Sequence, residues 1–585
     1  MATSVIIGIG KLKYFVFLQL SNCYLSSKYH LVDFGTSSST FAYSHKSDNG
    51  SSEIVTNDIW PQEGQHGVFK TNTVLLYNTQ TWKVVGWGSS AITRQEKKKK
   101  KNNFLTDNGL DPTIPVSLFK LHFGNIREQD KPILPQGLDY RRCVIDYLAE
   151  MTKLIKNTIA TRWPGINFYR NVLIVLTVPS DFSEAAKATM RECAWRAGLL
   201  EFANSPNLEF TTEPEAAAVH CITSLGRLGL KAKANFMIVD CGGGAVELTM
   251  RRLITHNQIS EITERTGDYC GSTFVDKEFL SFLYQKYNLY QPIQQLYYHH
   301  NDQFQYLLRE FCSKVKLSFT GNPSDFQNAY IDLEDACPNL IYYVNDEMTR
   351  QRMEREEWII ELDFVNVKRM FDPVIQRINW LIGNQLNSFR QQCSAIFLVG
   401  GFSESLYLVR SVKHAFSQQV PIIEVPSQPI TAVVRGAVKY GLNMRTIQTR
   451  ILRYTYGVQV LKKWKKGEDP QRKLPNGLML AFHLLAKRGT EVKVNQTFGY
   501  MAKPTNSNQV DMRFNIYVTT NFDAKYCDEP GTKLLGTLKI DLPDKQFCSK
   551  RKVEFDLTFG TMEIKATARN KKSGLVYQTT LNLDF

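Results

Sequence analysis

Three short stretches carry residue types that could grip a polyphosphate. In the first, Leu31-Val32-Asp33-Phe34-Gly35-Thr36-Ser37-Ser38, an apolar strand ends in an aspartate, a glycine turn and a run of hydroxyls. The Gly35 turn lets the backbone approach phosphate oxygens, to which successive N–H groups and the hydroxyls of Thr36 and Ser37 can donate. A carboxylate such as Asp33 beside that turn can hold the water shell of Mg2+. The second stretch, Phe236-Met237-Ile238-Val239-Asp240-Cys241-Gly242-Gly243-Gly244, repeats the design. Three glycines in a row cost backbone entropy, which a close approach to a ligand explains better than a casual turn. In the third, Ala395-Ile396-Phe397-Leu398-Val399-Gly400-Gly401-Phe402-Ser403, a Gly-Gly turn after a buried strand permits close approach of an adenine–ribose face. Each pattern alone also occurs in ordinary hairpins and strand-to-helix corners. The strand–aspartate–glycine hairpin at position 33 and again at 240 is what a duplicated fold gripping one polyphosphate from both sides needs. No G-x-x-x-x-G-K-[ST] occurs, which disfavours a P-loop.

Buried strands must deliver these turns. From about residue 30 to 445, short apolar runs alternate with helical patterns, as in an α/β architecture. The run 172–178, followed by Pro179, reads as a strand, and 182–198 reads as a helix with Gly198 as C-cap. On that helix Glu184, Lys187, Arg191 and Glu192 are expected to face solvent, while Ala185, Ala188, Cys193 and Ala197 pack. After Asn443 the character changes to short strand-like segments at 455–461, 514–520, 534–542, 553–559 and 563–569. In 553–559, Val553, Phe555, Leu557 and Phe559 alternate with polar residues. Turn signals such as Pro530-Gly531, Pro543-Asp544 and Ser573-Gly574 separate the segments. This tail reads as an all-β sandwich with no helical bundle after it.

The chain has 585 residues, too long for one ordinary domain, with 43% hydrophobic and 22% charged residues. Lys and Arg outnumber Asp and Glu by 71 to 56. The run Lys97 to Lys101 supplies part of that excess and reads as a solvated loop, so no nucleic-acid partner is expected. Eleven cysteines without a C-x-x-C pair argue against a zinc site of close-spaced pairs and suit a reducing compartment, so a cytoplasmic location is expected. The sequons at Asn49 and Asn495 matter only in a secreted chain. Residues 1–23 read as an N-terminal extension with faint signal-peptide character, and no membrane span is expected.

In order and spacing, the three glycine motifs resemble phosphate one, phosphate two and the adenosine motif of the actin, sugar-kinase and heat-shock-chaperone superfamily. Connecting segments narrow the likeness to the seventy-kilodalton heat-shock chaperones. Val178-Pro179-Ser180-Asp181-Phe182 resembles their "VPA-x-F" strand exit, and Thr212-Glu213-Pro214-Glu215-Ala216-Ala217-Ala218 their "NEPTAAA" segment. Gly267-Asp268-Tyr269-Cys270-Gly271-Ser272 is similar to the "GD-x-x-LGG" turn, and Arg435-Gly436-Ala437-Val438 to "YGAA". In the tail, Tyr456-Gly457-Val458 and Leu535-Gly536-Thr537-Leu538 look like the family's peptide-binding β domain. The branch most resembled is the divergent type-twelve one, which lacks the helical lid.

The resemblance implies a two-lobed, actin-like (ribonuclease H-like) nucleotide-binding domain over 24–445 and a lidless β sandwich over 446–585. It implies ATP and Mg2+ as cofactors. Asp33 and Asp240 would orient Mg2+ waters and the attacking water, and Glu213 would position the metal–water network. Thr36, Ser37, Gly35 and the glycines Gly242, Gly243 and Gly244 would bind phosphates. Gly400, Gly401 and Ser403 would line the adenosine pocket, and Lys316 would contact the nucleoside. Two departures bear on hydrolysis. The family's catalytic lysine has no evident counterpart near Gly86-Trp87-Gly88-Ser89-Ser90-Ala91, and Ala245 and Glu247 replace a threonine and an aspartate. The acidic-leucine linker is replaced by the basic Thr446-Ile447-Gln448-Thr449-Arg450-Ile451-Leu452-Arg453. Two functions follow as expectations: a slow chaperone-like ATPase whose β domain holds a peptide or protein partner, or a non-hydrolysing nucleotide sensor with a signalling or immune role.

Overall fold

The chain builds two sheets with the same strand order. The structure, a computed structural model, describes residues 28–45, 53–61, 67–91, 113–124, 126–128, 131–506, 508–543 and 551–580. The extension 1–23, the lysine run, the sequon at Asn49 and residues 581–585 lie outside the described residues. In the first sheet, Lys28–Asp33 pairs antiparallel with Ser38–His45, which pairs antiparallel with Ile54–Thr56. On its other side Lys28–Asp33 runs parallel to Val172–Val178, and that strand parallel to Leu208–Thr212. The second sheet repeats this. Asn235–Cys241 pairs antiparallel with Val246–Thr255 and then Gln258–Glu261, and on the other side parallel with Ala395–Val399 and then Ile422–Glu424. The seven residues of Val172–Val178 and of Asn235–Cys241 are all buried, as expected of strands covered on both faces. Mixed α/β content is thus as expected.

Helices Glu213–Arg227 and Ala432–Leu442 pack against each other in a core that takes side chains from both sheets, including Leu173 and Val175 from one and Ile238 and Phe397 from the other. Their crossing is tight: a Cβ on Gly436 would lie 1.8 Å from the carbonyl oxygen of Ala216. Alanines and a glycine at the contact let the two backbones approach, so the lobes share one thin apolar seam.

Beyond residue 454 the chain forms two four-stranded antiparallel sheets around one apolar core. The strand Val553–Phe559 has the expected bounds, and its four apolar residues are all buried. Strands at Leu478–Ala486, Gln496–Ala502 and Val576–Thr580 complete the pair. Two expectations are corrected here. The segment expected to be a linker is instead the strand Ile447–Ile451, parallel to Gln258–Glu261 in the second sheet and followed there by Glu491–Lys493. Its buried Arg450 suits a strand wedged against buried carboxylates better than a solvated tether. On the helix Glu184–Arg196 Glu192 meets solvent as expected, but Glu184, Lys187 and Arg191 do not. Lys187 is buried against Glu184 and the Met562 carbonyl, and Arg191 forks onto Glu563 at 2.6 and 2.9 Å. A polar helix face in sequence reads the same whether it meets water or a complementary charged surface. Gly198 follows the helix in the left-handed region with φ 73°, as expected.

The tail is held to the second sheet by a largely buried charge cluster. Arg450 forks onto Glu215 at 3.0 and 3.2 Å, Arg265 donates to Glu261 at 2.7 Å, and Arg251 lies 3.3 Å from Glu261 and 3.7 Å from Glu215. Burial alone would raise the Glu215 pKa. Arg450, then Arg265 and Arg251, outweigh it and hold the carboxyl at about 2. Removing a buried partner strands its charges, so Glu215→Ala should lower unfolding free energy by about 3–5 kcal/mol in a denaturant melt. Because the folded pKa is depressed, the contribution is fully present above the unfolded carboxylate pKa. It is lost as pH falls toward about 2. The gap between wild type and variant should therefore narrow in acid.

Candidate functional site

The two aspartate hairpins face each other across a cavity of about 600 Å3 between the sheets. From one side come Asp33, Gly35, Thr36 and Ser37, from the other Asp240, Gly242, Gly243 and Gly244, with Glu213, Gly400 and Gly401 also lining it. The turns nearly interlock, because a Cβ on Gly243 would fall 2.1 Å from the Ser37 hydroxyl. Gly400 has φ 82°, in the left-handed region, and a Cβ there would meet Asp240 Oδ1 at 2.5 Å. The third motif therefore leans directly on the second.

Each strand ends by presenting its carboxylate to this space. Asp33 accepts from Lys70 Nζ at 2.9 Å and from the Thr177 hydroxyl at 3.0 Å. Glu213 opens the helix Glu213–Arg227, capped by the Thr212 hydroxyl, and accepts from Lys120 Nζ at 2.7 Å. Asp240 sits opposite Glu247 in the strand ladder. Burial, then repulsion by Glu213, pushes the Asp240 carboxyl up to about 7, against the pull of Lys70. Glu247 is raised by burial, then by Glu213 and Asp181. It accepts the Ser180 N–H and the Ser180 hydroxyl, both at 2.9 Å. The Tyr269 hydroxyl, from the second lobe, donates to Asp181 of the first at 2.9 Å and ties the two walls.

The structure brings two lysines that the sequence reading did not single out, Lys70 and Lys120, into the lining. Burial opposes the Lys70 charge, and Asp33 more than offsets it, so its pKa is raised. No motif marks either residue. Lys70 precedes a two-residue strand, and Lys120 lies in the short helical turn Phe119–Phe123, after the lysine-rich stretch. Ser403 and Lys316 do not line the cavity. The Ser403 hydroxyl donates to the Val399 carbonyl at 2.6 Å, and Lys316 is held by Asp276 at 2.7 Å. Among the described residues no three His, Cys, Asp or Glu side chains group closely enough to ligate a metal directly.

These features define a two-lobed mixed α/β chain with one charged interlobe cleft. In sequence the chain is similar to heat shock 70 kDa protein 12A of Homo sapiens, 24% identical over 623 aligned positions, covering 92% of this chain and 88% of that protein. It is likewise 23% identical to human heat shock 70 kDa protein 12B, with the same coverage, and 25% identical to mouse 12A over 67% of this chain and 68% of the relative. The type-twelve likeness read from the motifs is borne out by these relatives. No protein-family model matches the chain. Among solved structures, MreB5 of Spiroplasma citri bound to AMPPNP is similar with a TM-score of 0.44 at 13% identity, covering 72% of this chain and 97% of that one. The same protein bound to ADP gives 0.46 at 12%, covering 72% and 98%.

The electrostatics are directly testable. Lys70 lowers the proton affinity of Asp240, so Lys70→Met should move the Asp240 carboxyl above about 7, read by carbon-13 carboxyl titration.

Proposed function

We propose that the cleft binds ATP with Mg2+ and that the protein is a slow, chaperone-like ATPase with an actin-like nucleotide-binding domain. The observation that carries the reading is the meeting of two strand–Asp–Gly hairpins, at Gly243 and Ser37, from sheets of the same strand order. In this reading the amides of the two turns and the hydroxyls of Thr36 and Ser37 bind the phosphates. Lys70 and Lys120 supply the cationic charge facing them. Gly400 and Gly401 form the adenosine wall, with Ser403 bracing that turn. Lys316, held by Asp276 outside the cavity lining, is left out of the contact set.

The carboxylates suit a hydrated cation rather than a directly ligated one. Asp33, Asp240 and Glu213 lie around the turns without forming a three-ligand cluster among the described residues, and a divalent charge offsets the burial and the Glu213 repulsion that raise the Asp240 pKa. When bound, Mg2+ supplies charge that offsets the phosphates. Asp33, Asp240 and Glu213 orient water, and the lysines steady the charge that develops on phosphoryl transfer, a reaction that depends mainly on positioning.

The two-sheet tail past residue 454 is proposed as a β-sandwich unit that contacts a protein or peptide partner. Leu461 and Leu480, opposite each other in register, and the nearby Leu484 are exposed apolar residues on adjacent strands. Such a patch supports docking of an extended apolar segment. Among the described residues, no helix is long and apolar enough to cross a membrane.

Calorimetric ATP–Mg titration with single-turnover hydrolysis tests the reading. Binding with turnover is expected, with turnover lost in Asp240→Asn. Gly243→Val should lose binding, because its Cβ has no space against Ser37. Unchanged affinity in that variant would sink the cleft assignment. Tight binding with no turnover in the wild type would favour a nucleotide sensor instead.

A further inference from the structure

We propose that Arg453, delivered by the chain just past the strand Ile447–Ile451, contacts the terminal phosphate of the bound nucleotide, so that the C-terminal part of the chain completes the cleft in cis. This rests on the nucleotide reading above and adds a positioning residue that none of the glycine motifs contains.

Arg453 lines the same cavity as Asp240 and Gly243. Its place within that cavity is fixed by a short series of contacts. Asp240 and Glu247 are opposite in the ladder, Glu247 holds the N–H and hydroxyl of Ser180, and the Ser180 carbonyl accepts from Arg453 Nη1 at 3.2 Å. The guanidinium therefore sits on the Glu247 side of the cavity, against Ser180.

Its guanidinium touches the Ser180 carbonyl and lies 5.9 Å from the Tyr454 ring but, unlike its neighbours', forms no ion pair among the described residues. Arg450 is bound to Glu215, Arg265 to Glu261, and Arg251 to both carboxylates. Among the described residues no carboxylate lies within ion-pair distance of Arg453, and the residue is exposed. The backbone that carries it is nevertheless held firmly. Arg450, three residues earlier, is fixed on buried Glu215, and the Ile451 N–H donates to Glu261 at 3.0 Å. A planar fork on a fixed stem, set on the Glu247 side of the cleft, is the arrangement that recognises a phosphate bidentately. An arginine supplied in cis at that position stabilises charge on the transferring phosphoryl group.

The link also runs backward. If the terminal phosphate holds Arg453, then ATP stabilises the docking of the 447–456 segment more than ADP does, and that segment in turn favours ATP by the same factor.

The experiment compares ATP and ADP affinities, by calorimetry on the full chain, for wild type, Arg453→Gln and Arg453→Lys. Hydrogen exchange of segment 447–456 is measured with each nucleotide. The side chain is exposed, so the variants should melt with the wild type, which confirms that they fold. The expected result is an ATP affinity about tenfold weaker in Arg453→Gln, the scale of a charge-assisted phosphate contact, with ADP affinity within about twofold. Arg453→Lys should recover part of the loss. ATP should protect the 447–456 amides in the wild type and not in Arg453→Gln. An unchanged ATP-to-ADP ratio, or equal weakening of both nucleotides, overturns the assignment while leaving the nucleotide cleft standing. A wild type that binds neither nucleotide overturns both readings.

Discussion

The carboxylate of Glu215 is fully buried, and a charge without water must find cations or be neutralised. It finds three, each from a different place. Arg251 comes from the return strand of the second aspartate hairpin, Arg265 from the turn that leads to the cleft, and Arg450 from the strand expected to be a tether. The helix that carries Glu215, the second sheet and the C-terminal strand are thereby held to one another. Two residues upstream, Glu213 faces the cleft with Lys120 upon it. The acids sit in the first turn of a helix, where its dipole also favours negative charge. One short stretch, Thr212 to Glu215, thus addresses the cavity with one carboxylate and the tail with the other.

Much of the scaffold was legible because it rests on local patterns. Seven-residue apolar runs with glycine turns mark buried strands whatever surrounds them. The alternation Val553, Phe555, Leu557, Phe559 likewise has one meaning on a sheet with one covered face. The glycine clusters were readable for the same reason, since a side chain there has nowhere to go: Gly243 against Ser37 and Gly400 against Asp240 are cases of backbone approaching a neighbour. The glycines of the three motifs, Gly35, Gly242, Gly243, Gly244, Gly400 and Gly401, all line one cavity.

What stayed hidden was long-range charge pairing. Lys70 and Lys120 are ordinary lysines in sequence, and only the fold brings the first to Asp33 and the second to Glu213. The lysine-rich stretch between them made any single lysine harder to single out. Lys187 and Arg191 were misread for the complementary reason. Periodicity distinguishes polar from apolar faces, but it does not tell whether the polar face meets water or the opposite charges of Glu184 and Glu563. The basic run around Arg450 lacked the composition of a strand core, and its partner acids lie 190 to 235 residues away.

The insertion of Ile447–Ile451 into the second sheet has a bearing on synthesis. Sheet and hairpins up to Glu261 emerge from the ribosome early, yet the outer edge of Gln258–Glu261 stays unpaired until the chain past residue 447 arrives. Through that interval the nascent lobe exposes open backbone groups and the uncompensated carboxylates of Glu215 and Glu261, a template for pairing with other chains. A fragment ending before 447 keeps that open edge permanently. Maturation of the cleft is in this sense a late event: the first motif is made long before the tail, and its surroundings close only when the tail has been made.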